Sequence, residues 1–248
     1  NPSGSTKDRI AVHILDKARR AGKLPRGTMV VEASSGSTSI ALAMACARMD
    51  LGFTAFIPDT ATNERALMIQ AYGGRVIKVA GGMPGVIAAA AAFATETGAF
   101  AARQFENPDN AEAHQWHTAS EILAQLPGLM IDAVVSGVGT GGTLVGLHQG
   151  LQDGGQDPVP VAAMPIGQPD HPNPECCSMC FSKAVPGVID GCSMIYQQWK
   201  STPAAARLRE FPVDEEVCID FTRRLWALGH PAGPSSGLNL AAAMASPR

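Results

Sequence analysis

Short apolar runs alternate with alanine-rich or amphipathic stretches along almost the whole chain. That rhythm restricts the fold more than any other feature of the sequence. An apolar run of four to eight residues between turn formers reads as a buried strand, and longer i, i+3, i+4 spacing reads as a helix. The spacing predicts helices over 10–21, 63–72 and 85–97, with a further helix capped by Ser37 or Thr38 and running to Met49. Strands are expected at 28–32, 53–57 and 75–79. Gly22 with Pro25, and the pair Gly73-Gly74, supply the helix stops. The second half repeats the pattern, with helices expected at 109–125, 142–151, 213–228 and 236–244 and strands at 131–136 and 159–164. Residues 165–192, with prolines at 165, 169, 172, 174 and 186, read as the least ordered part. Strand–helix alternation of this kind implies an α/β fold in which parallel sheets are covered by helices.

Bulk properties remove several classes of function. The 248 residues are long enough to bury a substantial core, as one large domain or two lobes. Only 17% are charged and the net charge is −3, so there is no basic stripe for a nucleic-acid backbone. Gly, Thr, Arg or Asp interrupts every apolar run before it reaches membrane-spanning length, and no signal peptide is visible. Six cysteines in a chain of this size do not form the framework of a small secreted domain, so a reducing cytoplasm is the expected compartment.

Four polar stretches carry the chemistry. Asn1-Pro2-Ser3-Gly4-Ser5-Thr6-Lys7-Asp8-Arg9 sets a lysine on the first turn of a helix beneath a loop of small residues. The positive end of the helix disfavours an ammonium there, and an amine so poised can form a Schiff base. Taken alone, the segment reads more readily as a solvated lysine at a helix start, since most lysines are exposed. Ser34-Ser35-Gly36-Ser37-Thr38 lies between a strand and a helix, where N–H groups converge on an anion and serines also cap. Gly137-Val138-Gly139-Thr140-Gly141-Gly142-Thr143 repeats that arrangement and suits a single phosphate monoester. It lacks the spacing of a dinucleotide fingerprint and the ending of a P-loop, and it could be a plain tight turn. Gly233-Pro234-Ser235-Ser236-Gly237 opens the last helix, where Ser235 or Ser236 could simply cap. Cys176, Cys177 and Cys180, with His171 and Cys192 nearby, hold one CxxC without a second pair, so no metal site is assigned.

In order and composition these four stretches resemble the pyridoxal-phosphate enzymes of the cysteine synthase and cystathionine β-synthase family, the tryptophan-synthase-β-like fold type II. The resemblance implies a two-lobed α/β fold with the cofactor in the cleft, a smaller mobile lobe at 13–112 and a larger lobe formed by 1–12 and 113–248. It implies a further segment ahead of Asn1, so that the chain is a fragment or a truncation. Lys7 would bind pyridoxal 5'-phosphate and act as the catalytic base. Gly139, Thr140, Gly141, Gly142 and Thr143 would hold its phosphate, Ser37 would face its ring hydroxyl, and Ser235 its pyridine nitrogen. Ser34, Ser35, Gly36, Thr38 and Gln104 would hold the substrate carboxylate, the last within Gln104-Phe105-Glu106-Asn107-Pro108. His114 and His117 carry no assignment.

The implied reaction is β-replacement on O-acetylserine or serine through an aminoacrylate, with a thiol or sulfide as second substrate, in a cytoplasmic homodimer. A β-eliminating lyase and a catalytically idle binding subunit are the alternatives. Three departures bear on specificity: Ser37 where the family has asparagine, Val161-Ala162-Ala163-Met164-Pro165 without the family's acid, and Ile189 where it has glycine.

Overall fold

The computed structural model describes residues 1–166 and 192–245. The chain divides into two compact units, Asn1–Ala113 and His114–Arg248.

The first unit is built on four parallel strands: β1 (Met29–Ala33), β2 (Gly52–Pro58), β3 (Arg75–Val79) and β4 (Phe100–Ala101), in the order β3-β2-β1-β4. Each crossover carries a helix: α2 (Ser37–Met49), α3 (Asn63–Ala71) and α4 (Gly82–Thr97). The period of two along β2 sorts its side chains. Phe53, Ala55 and Ile57 enter one core with Ile10, Ile14 and Leu15 of α1 (Lys7–Arg20), Leu42 of α2 and Ile69 of α3. Phe56 points the other way, its ring 5.5 Å from that of Phe93 on α4. Helices therefore cover both faces, which is why the strands read as continuous apolar runs rather than alternating ones. Each fully buried Ile, Leu or Phe contributes about 1.5–3 kcal/mol by removal from water. α5 (Asp109–Ala113) closes the unit and is tied to α1 where Lys17 Nζ bonds Asp109, at 2.6 Å, and Glu112, at 2.5 Å.

Among the described residues the second unit has three parallel strands: β5 (Ala133–Gly137), β6 (Val159–Ile166) and β7 (Arg209–Asp214), with β6 central. A π-helical turn (His114–Thr118) and α6 (Ala119–Gln125) precede them. α7 (Gly142–Asp153), α8 (Met194–Lys200), α9 (Glu215–Ala227) and α10 (Pro234–Ala245) complete the unit. Ala163 of β6, Val213 of β7, Cys218 of α9 and Leu238 of α10 pack in one buried cluster of the unit.

Several expectations need correction. The single helix expected over 109–125 is interrupted by the π turn, and residues 131–132 precede β5 rather than belong to it. The first helix starts at Lys7, as expected from a lysine on its first turn although the apolar spacing begins only at residue 10, and the alanine-rich helix starts at Gly82 rather than residue 85. Residues 213–214 end a strand that the sequence hides, because Arg209-Glu210-Phe211-Pro212 looks like a loop. Pro212 is tolerated because, among the described residues, β7 lies at the edge of the three strands and pairs only with β6. Among the described residues no helix is long and apolar enough to cross a membrane.

Candidate active site

In the first unit the segment before α1 folds back on the helix. Gly4 N–H donates to Asn1 O at 3.0 Å. Buried Asp8 accepts the Ser3 N–H at 2.8 Å and the Ser3 hydroxyl. Lys7 opens α1, its N–H donating to Ser5 Oγ at 3.2 Å, and its side chain is half-buried. Desolvation pulls the Lys7 ammonium down to about 8. Burial, rather than the helix end invoked from sequence, is the cause that the structure supplies.

The loop between β1 and α2 is held from within. Ser34 Oγ donates to Ser39 Oγ at 2.9 Å and accepts the N–H groups of Gly36, at 3.0 Å, and Ser39, at 3.2 Å. Ser34 N–H is taken by Phe56 O at 3.0 Å. Ser34 thus spends both its protons inside the unit. The α2 cap is Gly36, with no capping side chain at Ser37 or Thr38, so the first-turn N–H groups of those two residues have no intrahelical partner. Thr38 Oγ1 donates to Gln104 Oε1 at 2.5 Å, and Gln104 Nε2 donates to Ala33 O at 2.7 Å. One Nε2 proton of Gln104 then remains for an anion beside the start of α2. Arg65 of α3 supports the loop from outside, its Nη1 donating to Ser35 O at 2.7 Å.

In the second unit the glycine loop joins β5 to α7. Gly137 N–H donates to Asn239 Oδ1 of α10 at 2.6 Å, and Ser193 Oγ donates to Gly139 O at 2.5 Å. Gly141 caps α7 at φ +90°, where a Cβ would lie 2.5 Å from Tyr196 Cβ and 3.0 Å from its backbone N, so only glycine fits. At Gly139 a Cβ would meet nothing within 4 Å, which leaves that side of the loop open. Gly142 N–H donates to Thr140 Oγ1 at 3.3 Å. Thr143 Oγ1 lies 3.1 Å from Nε2 of buried His114, whose Nδ1 lies 3.0 Å from Thr118 Oγ1. With Nε2 protonated, His114 donates to Thr143 and frees the threonine proton for a ligand. Ser235 is exposed on the first turn of α10, the helix that Asn239 ties to the loop.

An open glycine edge, helix first-turn N–H groups and a hydroxyl from Thr143 form a donor set that fits a phosphate monoester. Ser34 with Gly36, and Thr38 with Gln104, are joined by hydrogen bonds in the first unit, which also holds Ser35 and Lys7. Gly139, Thr140, Gly141, Gly142 and Thr143 form one loop and first helical turn in the second unit, and Ser235 opens the helix whose Asn239 is bonded to Gly137 of that loop. Sequence reasoning missed Glu32, Arg65, His114 and Asn239. Only the Q-F-x-N-P segment that leads into His114 carried a signal for any of them. Among the described residues no cluster of His, Cys, Asp and Glu could hold a metal ion, and Cys176, Cys177, Cys180 and Ile189 lie outside those residues.

Comparison with known proteins gives a consistent family. Residues 1–248 match the family model described as pyridoxal-phosphate dependent enzyme. A cysteine synthase of Staphylococcus aureus is 38% identical over 196 residues, covering 77% of this chain and 63% of that protein. The match therefore spans less than two thirds of that relative's length. The O-ureido-L-serine synthase of Streptomyces lavendulae is 37% identical over 251 residues, covering 98% of this chain and 74% of that protein. A hydrogen sulfide-producing enzyme from Fusobacterium nucleatum superposes with a TM-score of 0.81 at 29% identity, covering 98% of this chain and 80% of that one.

Proposed function

Because the chain belongs to the family of pyridoxal-phosphate dependent enzymes, we propose that it catalyses β-replacement on an amino acid bearing a β-leaving group, in the manner of a cysteine synthase. The observation that carries this reading is Lys7, an amine at the head of α1 that burial holds down to about 8, in the same unit as the β1–α2 loop to which we assign the substrate carboxylate. When bound, pyridoxal 5'-phosphate supplies a covalent attachment for the amino group and a sink for the electrons released at Cα.

This chain's residues do the rest. Lys7 would anchor the cofactor, and its Nζ would serve as the base that holds the Cα proton. The first-turn N–H groups of α2, with Ser35, Gly36 and the remaining Gln104 proton, hold the substrate carboxylate, and Ser34 keeps their loop in shape. Gly139, Thr140, Gly141, Gly142 and Thr143 hold the phosphate, and His114 orients the Thr143 hydroxyl. Ser37 would face the ring hydroxyl. Ser235 would share a hydrogen bond with the pyridine nitrogen without holding it protonated, which would suit loss of a good leaving group from Cβ over transamination. The second substrate would be a thiol or sulfide. The same reading carries a cytoplasmic homodimer, which light scattering and cell fractionation test.

A second reading, β-elimination without replacement, is favoured by Ser37, exposed where the family carries asparagine, and by the likeness to a hydrogen sulfide-producing enzyme. Absorbance of the protein loaded with pyridoxal phosphate tests the first premise: a band near the visible edge is expected, and Lys7→Ala abolishes it. Retention of that band in Lys7→Ala would overturn the role of Lys7. Product analysis separates the two reactions, since replacement yields cysteine from O-acetylserine plus sulfide, whereas elimination yields pyruvate from cysteine alone.

A further inference from the structure

Glu32 is a buried acid that the chemistry above does not use. It is the penultimate residue of β1, 3% exposed. Its surroundings explain why the sheet is laid out as it is at this end. The parallel ladder between β1 and β4 runs as far as Ala102, whose N–H donates to Val31 O at 3.1 Å. Two residues on, the ladder would continue from Gln104 N–H to Ala33 O. Arg103, at φ +52°, instead turns the chain away, and two side chains take over. Gln104 Nε2 reaches Ala33 O at 2.7 Å, and Glu32 Oε2 accepts the orphaned Gln104 N–H at 3.1 Å. Glu32 Oε1 accepts the Ala33 N–H at 2.8 Å, at the root of the loop that leads into α2. Asn110 Nδ2 completes the clamp on Gln104 O at 2.7 Å.

We infer that Glu32 is a positioning residue for the carboxylate site: one carboxyl group ties the root of the 34–38 loop to Gln104 and so sets the distance between the α2 N–H groups and the Gln104 amide. The inference rests on the proposed assignment of those groups to the substrate carboxylate. It follows from what a carboxyl can do that an amide cannot. Both oxygens of Glu32 accept an N–H, whether the group is ionised or protonated. In Glu32→Gln one oxygen becomes an NH2, which turns a donor against a donor and breaks one of the two ties. Glu32→Asp keeps both acceptors and shortens their reach.

The test uses the enzyme loaded with pyridoxal phosphate and follows the cofactor absorbance during titration with O-acetyl-L-serine. Glu32→Gln is expected to bind the amino acid about tenfold more weakly while its cofactor content is unchanged, with KM rising more than kcat falls. Glu32→Asp should recover part of the loss. In a Gln104→Ala background, the effect of Glu32→Gln should shrink to less than half, because the arm that it positions is gone. Affinity within twofold of wild type in Glu32→Gln, or an undiminished effect in the Gln104→Ala background, overturns the inference. If Glu32→Gln fails to fold, Glu32→Asp decides: about threefold weaker binding supports the role and unchanged binding refutes it. Wild-type enzyme that shows no response to O-acetylserine, serine or cysteine would instead sink the carboxylate assignment, and Glu32's role with it.

Discussion

Gly141→Ala and Gly139→Ala differ by two positions in one loop, yet they should behave very differently. At Gly141 the backbone sits at φ +90°, and the added methyl would lie 2.5 Å from Tyr196 Cβ and 3.0 Å from Tyr196 Cα and N. The left-handed conformation costs an alanine about 1–2 kcal/mol. Forcing a methyl against α8 backbone that cannot swing aside adds about 1–3 kcal/mol. The sum is about 2–5 kcal/mol, which for a chain of this size lowers the melting temperature by ~10 °C. At Gly139 the backbone is outside the left-handed region and no atom lies within 4 Å of the new methyl, so the cost stays below ~1 kcal/mol. Melting the cofactor-free proteins by circular dichroism isolates this term from any effect on phosphate binding. Gly141→Ala should melt well below both wild type and Gly139→Ala. Equal melting of the two variants would refute the claim that Tyr196 and the turn at Gly141 fix the loop.

The remaining predictions concern protons and hydroxyls. Burial raises Glu32 to about 8, so the native state holds its proton more tightly than the unfolded chain does. Its contribution is full below pH ~4.5 and is lost as pH rises through about 8, with an upper bound of about 5 kcal/mol. Urea melts from pH 5 to 9 should show this decline in wild type and a flatter profile in Glu32→Gln. Lys7 moves the other way: depressed to about 8, it makes the cofactor-free protein gain stability between pH ~8 and ~10.5, a rise that Lys7→Met should remove in the same assay. His114→Phe should weaken pyridoxal phosphate about three- to tenfold in equilibrium dialysis by releasing Thr143, while Thr143→Val in that background adds little. Thr38→Val should raise KM for the amino acid about tenfold, since Gln104 Oε1 loses the hydroxyl that aligns it.

The parallel α/β architecture was legible because strands buried on both faces leave apolar runs between glycine stops, as at Phe53 to Ile57. β7 escaped notice because an edge strand tolerates Pro212 and exposed charge, which in sequence mimic a loop. β4 is only two residues long and leaves no period to detect. Among site residues, Lys7 and the glycine loop announce themselves by small residues at helix starts. Glu32 does not, because its role depends on where Arg103 turns the chain and on a partner seventy residues away in sequence. The π turn at His114–Thr118 was likewise invisible, since its composition suits an ordinary helix.

The ladder that joins residue 30 to residue 100 also has a timetable. At ~5–20 residues per second, the ribosome needs ~4–14 s to deliver β4 after β1. For that interval the inner edge of β1 has no neighbour and Glu32 has no Gln104 to hold. The nascent first unit must therefore wait, with its central strand open to foreign pairing, until the last strand arrives to seal it.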